Sequence, residues 1–187
     1  MTVTETKTFN LREHEIELEV SPDYLFMPNA TTVLFSRCVQ INPNDLVFDI
    51  GSGLAPLAIW AAKMPSSKVY GVEIVPEQCE LARRNVESHN LEEKIEIFEG
   101  SFFNPIPHGL KADVIIADVS GISEGPARAL GWYPSEIPTG GYDGTGVIIP
   151  LLKQAQNICT SQQDYTSRQH LCLGMKKFSK WQTKGST

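Results

Sequence analysis

Val47-Phe48-Asp49-Ile50-Gly51-Ser52-Gly53-Leu54-Ala55-Pro56 is an apolar run that ends in a Gly-rich turn and a proline. The apolar part has the length and content of a buried strand, and Pro56 suits the first turn of a helix, where a missing N–H goes unnoticed. About twenty residues later Val69-Tyr70-Gly71-Val72-Glu73 reads as a second apolar strand with a carboxylate at its end. Strand, Gly turn, helix, strand and acidic end make a βαβ unit of the kind that binds a nucleoside-containing cofactor.

The spacing narrows the cofactor. A dinucleotide fingerprint, G-x-G-x-x-G, uses its third glycine for close helix–strand packing. Here the third place is Pro56, which cannot take that role. No G-x-x-x-x-G-K-[ST] run occurs, so a P-loop is excluded. What remains is Asp49, two positions before Gly51 and four before Gly53. The carboxylate can meet an ammonium group, and the glycines admit a ligand where a Cβ would block it. Glu73 is placed to accept from ribose hydroxyls. An ammonium-bearing nucleoside fits S-adenosylmethionine (SAM).

Residues 25 to 152 resemble a class I SAM-dependent methyltransferase, and within that superfamily the small-domain branch containing the release-factor glutamine methyltransferases. Val47 to Ala55 is similar to the first motif, with Ala55 at the usual last glycine. Val69 to Glu73 is similar to the ribose-binding strand, and Ile95 to Phe103 to the adenine-binding strand and turn. Thr139-Gly140-Gly141-Tyr142-Asp143-Gly144 resembles a late Gly-Gly-x-Asp-Gly loop ahead of a helix at Val147 to Gln156. Tyr24-Leu25-Phe26-Met27-Pro28, with Thr31 and Thr32 following, resembles the entrance segment before the first helix. The resemblance implies a doubly wound, mainly parallel α/β sheet, SAM as cofactor and S-adenosylhomocysteine (SAH) as product.

Composition agrees. The 187 residues are 41% hydrophobic and 20% charged, enough for one domain with a sizeable core. A net charge of −6 argues against a nucleic-acid partner, and the cluster Lys176, Lys177, Lys180 and Lys184 reads as a solvated terminus. Cys38, Cys79, Cys159 and Cys172 have no C-x-x-C spacing, so no metal or dithiol site is expected. Cys38 and Cys79 fall on expected apolar helix faces. The amino terminus has no signal-peptide core and no run is long enough to span a membrane, so the expected address is the cytoplasm.

The alternation of patterns is that of a doubly wound sheet. Residues 15–20 alternate as a half-buried strand, one arm of a short hairpin. Helix follows at 30–39, with Val33, Leu34, Cys38 and Val39 at helical spacing, then strand at 46–50 and helix at 55–64. Strand at 68–72, helix at 76–89, and strands at 94–98 and 112–117 complete the regular part. The domain reading is an extension at 1–29, a SAM-binding domain at 30–159 and a polar, basic tail at 160–187. The C-terminal end is short for such a fold: 170–175 supplies one strand, so the chain is either truncated relative to its relatives or completes its sheet elsewhere. An uncovered sheet edge predicts pairing with a second copy.

The cofactor residues are thus Asp49, Gly51, Gly53 and Glu73, joined by Ser101 and Phe102 at the adenine. Ser101 stands where the family often has aspartate; a neutral hydroxyl still accepts from the adenine amino group. The Phe102 ring could stack, and its backbone N–H is a donor for adenine N1. Asp118 is the expected catalytic residue. The family's fourth motif there is Asn-Pro-Pro-Tyr; here it is Asp118-Val119-Ser120-Gly121. Asparagine matches a primary amide, whereas ionised aspartate only accepts, which suits an amine, ammonium, hydroxyl or guanidinium. Tyr24, Phe26, Asp118, Ser120 and Tyr142 are the expected substrate-binding residues. The Gly- and Pro-rich segment from Gly121 to Gly146, which holds Glu124, Trp132 and Tyr133, reads as a substrate lid. The first functional expectation is methyl transfer to a nitrogen or oxygen of a small molecule by direct displacement. The alternatives are a protein methyltransferase of the glutamine type and a catalytically silent SAM-binding subunit.

Overall fold

The computed structural model describes residues 4–21, 27–66, 68–133, 138–159 and, as backbone alone, 170–173. It opens with an antiparallel hairpin, β1 (Glu5–Leu11) and β2 (His14–Val20), in register from Glu5 against Val20 to Leu11 against His14. Next come α1 (Ala30–Cys38), β3 (Leu46–Ile50), α2 (Pro56–Lys63), β4 (Lys68–Glu73), α3 (Pro76–Ser88), β5 (Ile95–Glu99) and β6 (Val114–Ala117). Helices α4 (Glu124–Ala129) and α5 (Ile148–Ala155) and strand β7 (His170–Leu173) complete the described elements.

Five strands form one parallel sheet in the order β5-β4-β3-β6-β7. The chain lays strands outward from β3 in one direction, then returns to start again at β6. That reversal between β3 and β6 is the topological switch point of a doubly wound sheet, and it opens a crevice at their carboxyl ends.

Alternate residues of each strand feed opposite layers, as a two-residue period requires. Val47, Val69, Val114 and Ile116 face one cluster with α1, α2, α3 and the hairpin. Phe48, Ile50, Val72, Ile115 and Ala117 face the other, with Phe103, Ile106 and Leu151. In the second layer Phe48 meets the Tyr70 ring edge-on at 5.7 Å. Leu11, Ile16, Leu18 and Val20 of the hairpin lie in the first cluster, so the hairpin shares the core of the sheet it precedes.

Most expected elements fall within a residue or two of their observed limits. Three differ. β1 has no range in the sequence expectation, which places only the second arm of the hairpin: six of its seven residues are not buried, and on its inner face the polar Glu5 and Lys7 precede the apolar Phe9 and Leu11. α4 lies inside the segment read as a lid. On α1 the buried face is turned from the expected one: Thr32, Phe35 and Ser36 are buried, while Leu34 is 47% exposed and Cys38 is exposed. Phe35 is the largest apolar side chain of the helix, and Thr32 is drawn toward Asp118, so the helix presents that pair inward. No helix among the described residues is long and apolar enough to cross a membrane. Among those residues there is also no His/Cys/Asp/Glu group that could hold a metal. The lysine cluster of the C-terminal tail lies outside the described residues.

Candidate functional site

The crevice at the switch point is a cavity of about 580 Å³. The Gly51-Ser52-Gly53 turn forms one wall and is pinned to the neighbouring strand, because Val72 C=O accepts from Gly51 N–H at 2.8 Å and Ser52 N–H at 3.0 Å. Gly51, Gly53 and Ala55 all have positive φ (74°, 54° and 66°), so every second residue turns the chain left-handed on its way into α2. A Cβ at Gly51 would stand 3.0 Å from Val119 Cγ1 on the facing turn. The glycine therefore keeps the cavity open between its two walls.

Glu73 fastens the other side of the turn. Its Oε2 accepts from Gly53 N–H at 2.9 Å, and its Oε1 from Ile74 and Val75 N–H at 2.8 and 2.9 Å. Each carboxylate oxygen takes about two hydrogen bonds, so one accepting position on Oε2 is left for a hydroxyl in the cavity. Gly100, Ser101 and Phe102 line the same end, with Phe102 at φ 52° and its ring packed into the second core layer. The half-buried ring packs on that layer while the residue still lines the cavity.

Asp49 is 1% exposed, and neither of its carboxylate oxygens has a hydrogen-bond partner. Burial, and after it the negative charge of Asp118, pushes its pKa up to about 8, against the pull of the Ala58 peptide N–H and with a further push from Glu73. A buried carboxylate without a partner costs free energy unless something cationic completes it. Asp118 faces the same space from the end of β6. Burial raises its pKa, and the Thr32 hydroxyl, which donates to Oδ2 at 3.2 Å, opposes the rise. Ser120 lines the cavity too, its Oγ buried and without a partner. Among the described lining residues three are carboxylates, Asp49, Glu73 and Asp118, and none is lysine, arginine or histidine. The residues present fit a cofactor that brings an ammonium and a sulfonium: an orphaned buried carboxylate beside a turn that only glycine keeps open.

Of the other expected residues, Tyr142 is 98% exposed and does not line the cavity, and Trp132 is 51% exposed. Tyr133 does line it, whereas Glu124 starts α4 on the outside. Tyr24 and Phe26 lie outside the described residues. The Gly-Gly-x-Asp-Gly loop is docked on the turn after Asp118: Gly140 N–H donates to Ile122 C=O at 2.8 Å and Glu124 N–H to Gly141 C=O at 2.8 Å. A Cβ at Gly144 would fall 2.7 Å from Gly121 C=O. The loop thus supports the turn after Asp118 and leaves its own tyrosine in water.

Sequence reasoning missed three contributors. Gly71 lies in the middle of β4, where a Cβ would meet Ile97 Cδ1 at 2.6 Å and Ser52 Oγ at 3.2 Å, so the Gly turn can rest on the strand. A glycine inside a strand is itself the signal of such close approach. Gln78 is buried in the first turns of α3 and lines the cavity. Asn85 is fully buried and donates to Leu54 C=O at 3.1 Å and to Glu19 C=O at 3.2 Å, while its Oδ1 accepts from Glu19 N–H at 2.6 Å.

A family model described as ribosomal protein L11 methyltransferase matches residues 30–121. The L11 methyltransferase of Carboxydothermus hydrogenoformans is 31% identical over 155 residues, 78% of this chain and 48% of that protein. That of Escherichia coli is 30% identical over 158 residues, 81% of this chain and 51% of the relative. The chain therefore spans about half the length of the curated relatives it matches. These relatives differ from the release-factor glutamine methyltransferases of the sequence expectation. Among solved structures, a candidate rRNA methylase of Clostridium thermocellum superposes with a TM-score of 0.50 at 13% identity, covering 65% of this chain and 60% of that one. A candidate transferase of Pyrococcus horikoshii gives 0.50 at 16% identity, covering 68% and 47%. At those identities the structures share the fold alone. Strand order, the order of the motifs along the sheet and the named relatives converge on one fold: the doubly wound α/β sheet of the SAM-dependent methyltransferases that this chain resembles.

Proposed function

We propose that this chain transfers a methyl group from SAM to an amino nitrogen of a protein. The observation that carries the reading is a single cavity with an unpartnered buried carboxylate, Asp49, at the Gly turn and a second carboxylate, Asp118, on the opposite wall. When bound, SAM supplies a methyl group already activated by its sulfonium. Asp49, Gly51, Gly53 and Glu73 would hold the donor, with Ser101 and the Phe102 backbone at the adenine. Asp118 can only accept when ionised, so it orients an N–H and not an amide carbonyl. Its burial raises its affinity for a proton, which suits it to take the proton that leaves the nitrogen as the new N–C bond forms. Alignment of the nitrogen with the S–CH3 bond supplies most of the remaining rate. The protein substrate is supported by the names of the relatives, which act on ribosomal protein L11.

The test is incubation with methyl-labelled SAM and two acceptor pools, purified bacterial ribosomal proteins and a metabolite extract, followed by mass spectrometry. Methylated amines in protein are the expected result, and Asp118→Ala should lower the rate about 10²- to 10⁴-fold, the usual worth of an acid–base group. Label confined to metabolites would return the small-molecule reading. Binding of SAM with no labelled product would leave a silent SAM-binding subunit. Full turnover by Asp118→Ala would remove Asp118 from the chemistry.

A further inference from the structure

Thr32 sits in the first turn of α1 at 4% exposure, and its hydroxyl stands between two polar groups. Asn29 N–H donates to Oγ1 across 3.2 Å, one half of the capping box that starts the helix. Asp118 Oδ2 lies 3.2 Å away on the other side. A hydroxyl has one proton to give. An amide N–H can only donate and an ionised carboxylate can only accept, so the Thr32 proton points at Asp118. The same hydroxyl thereby serves the helix cap and the cavity wall.

We propose that Thr32 is a positioning residue for methyl transfer: it engages Oδ2 of Asp118, fixes the carboxylate plane and leaves Oδ1 to meet the acceptor nitrogen. This rests on the reading that Asp118 faces the acceptor. The acceptor wall is then complete only once the start of α1 is formed, because the group that orders Asp118 is itself oriented by the cap. The other titratable or charged groups on the cavity are Asp49 from β3, Glu73 from β4 and Tyr133 after α4; α1, α5 and the 138–147 segment place no charged side chain there among the described residues. Thr32 is therefore the neutral donor that reaches Asp118 on a cavity whose charges are all negative, and its bond favours the ionised form of Asp118 against them.

The experiment needs no acceptor. The carboxyl carbon of Asp118 is followed by NMR against pH in SAH-bound protein, in the wild type and in Thr32→Val, Thr32→Ser and Asn29→Ala. Thr32→Val should move the inflection to higher pH with SAH affinity unchanged, and Thr32→Ser should return it to the wild-type position. Asn29→Ala keeps the backbone N–H and loses only the side-chain half of the cap, so it should lower stability and leave the inflection in place. If Thr32→Val fails to fold, Thr32→Ala removes the hydroxyl without a second methyl and should show the same upward move. An unshifted inflection in the variant lacking the hydroxyl overturns the proposal, as does a serine variant that shifts as far as valine. Full methyl transfer by Asp118→Ala strikes instead at the reading beneath it, and the two failures are separately visible.

Discussion

Asp49 is where stability and function oppose each other. Its pKa of about 8 in the folded chain stands well above the roughly 3.9 of a free aspartate. Between those values the folded state holds a proton the unfolded state has lost, so stability falls as pH rises through the window and levels off above about 8. Asp49→Asn removes the titration and keeps the shape. Denaturant melts at pH 5, 6, 7 and 8 should show the variant gaining on the wild type by at most about 1.4 kcal/mol per pH unit, the slope of one proton. A gap that stays constant with pH would mean Asp49 is ionised throughout. The same carboxylate should make SAH binding proton-linked. Calorimetry below pH 8 should find close to one proton released on binding, affinity rising by up to about tenfold per pH unit, and both effects lost in Asp49→Asn. Ala55 shows how a departure from the family's glycine is tolerated. Its left-handed φ of 66° costs about 1–2 kcal/mol for a residue with a Cβ. Glycine would relieve that but forfeit a buried methyl of about 0.8 kcal/mol and lose about 0.5–1 kcal/mol to unfolded-state entropy. Ala55→Gly should therefore melt within about 0.5 kcal/mol of the wild type.

At the scale of elements, α3 is the part that ties the hairpin to the cofactor turn. Asn85 reaches both, and it is buried; Arg84, its neighbour, forks onto Glu19 at 2.8 and 3.2 Å from an exposed position. The Arg84 guanidinium holds the Glu19 carboxyl below the usual carboxylate range, with Thr4 adding to the effect, yet water screens the pair. Both side chains reach Glu19 and should matter very differently. Asn85→Ala strands Glu19 N–H and Leu54 C=O away from solvent, about 1–3 kcal/mol for each group left without a partner. Arg84→Ala should cost no more than about 1 kcal/mol. Because Leu54 follows Gly53 directly, Asn85→Ala should also weaken SAH binding, while Arg84→Ala leaves it unchanged. Equal losses of stability in the two variants, measured by urea titration, would show that burial of Asn85 is not what gives it weight. This clamp was not legible in the sequence. Asn85 and Glu19 are 66 positions apart and neither belongs to a motif, so only the fold brings them together.

Across the whole molecule, what could be read in advance was whatever carries a strong local signal. Val114-Ile115-Ile116 is apolar on both faces because the parallel strand it forms is covered on both sides, and Gly51 and Gly53 announce their turn by backbone need. The rest depended on distance along the chain. Thr32 finds Asp118 across 86 positions, Gly71 reveals its purpose only when Ser52 lies on it, and Tyr142 looked like a lid residue until its loop docked facing outward. The hairpin is the largest such case. Read from sequence, residues 1–29 look like an extension; in the fold, Leu11, Ile16, Leu18 and Val20 are fully buried against α1, α2 and α3. Burying one aliphatic side chain is worth about 1.5–3 kcal/mol, so four of them approach the whole net stability of a domain, about 5–15 kcal/mol. Removing the hairpin would also uncover Asn85, which bonds the backbone N–H and C=O of Glu19. A chain beginning at Met27 should therefore show no cooperative thermal transition by circular dichroism and no SAH binding, although every residue proposed to hold the cofactor is still present. A cooperative melt within a few degrees of the full chain would show that the sheet and its helices carry their own core. Variants at exposed positions of β1, such as Lys7→Ala, should leave the transition unmoved, since that side chain is exposed and its contact with Glu5 lies in water.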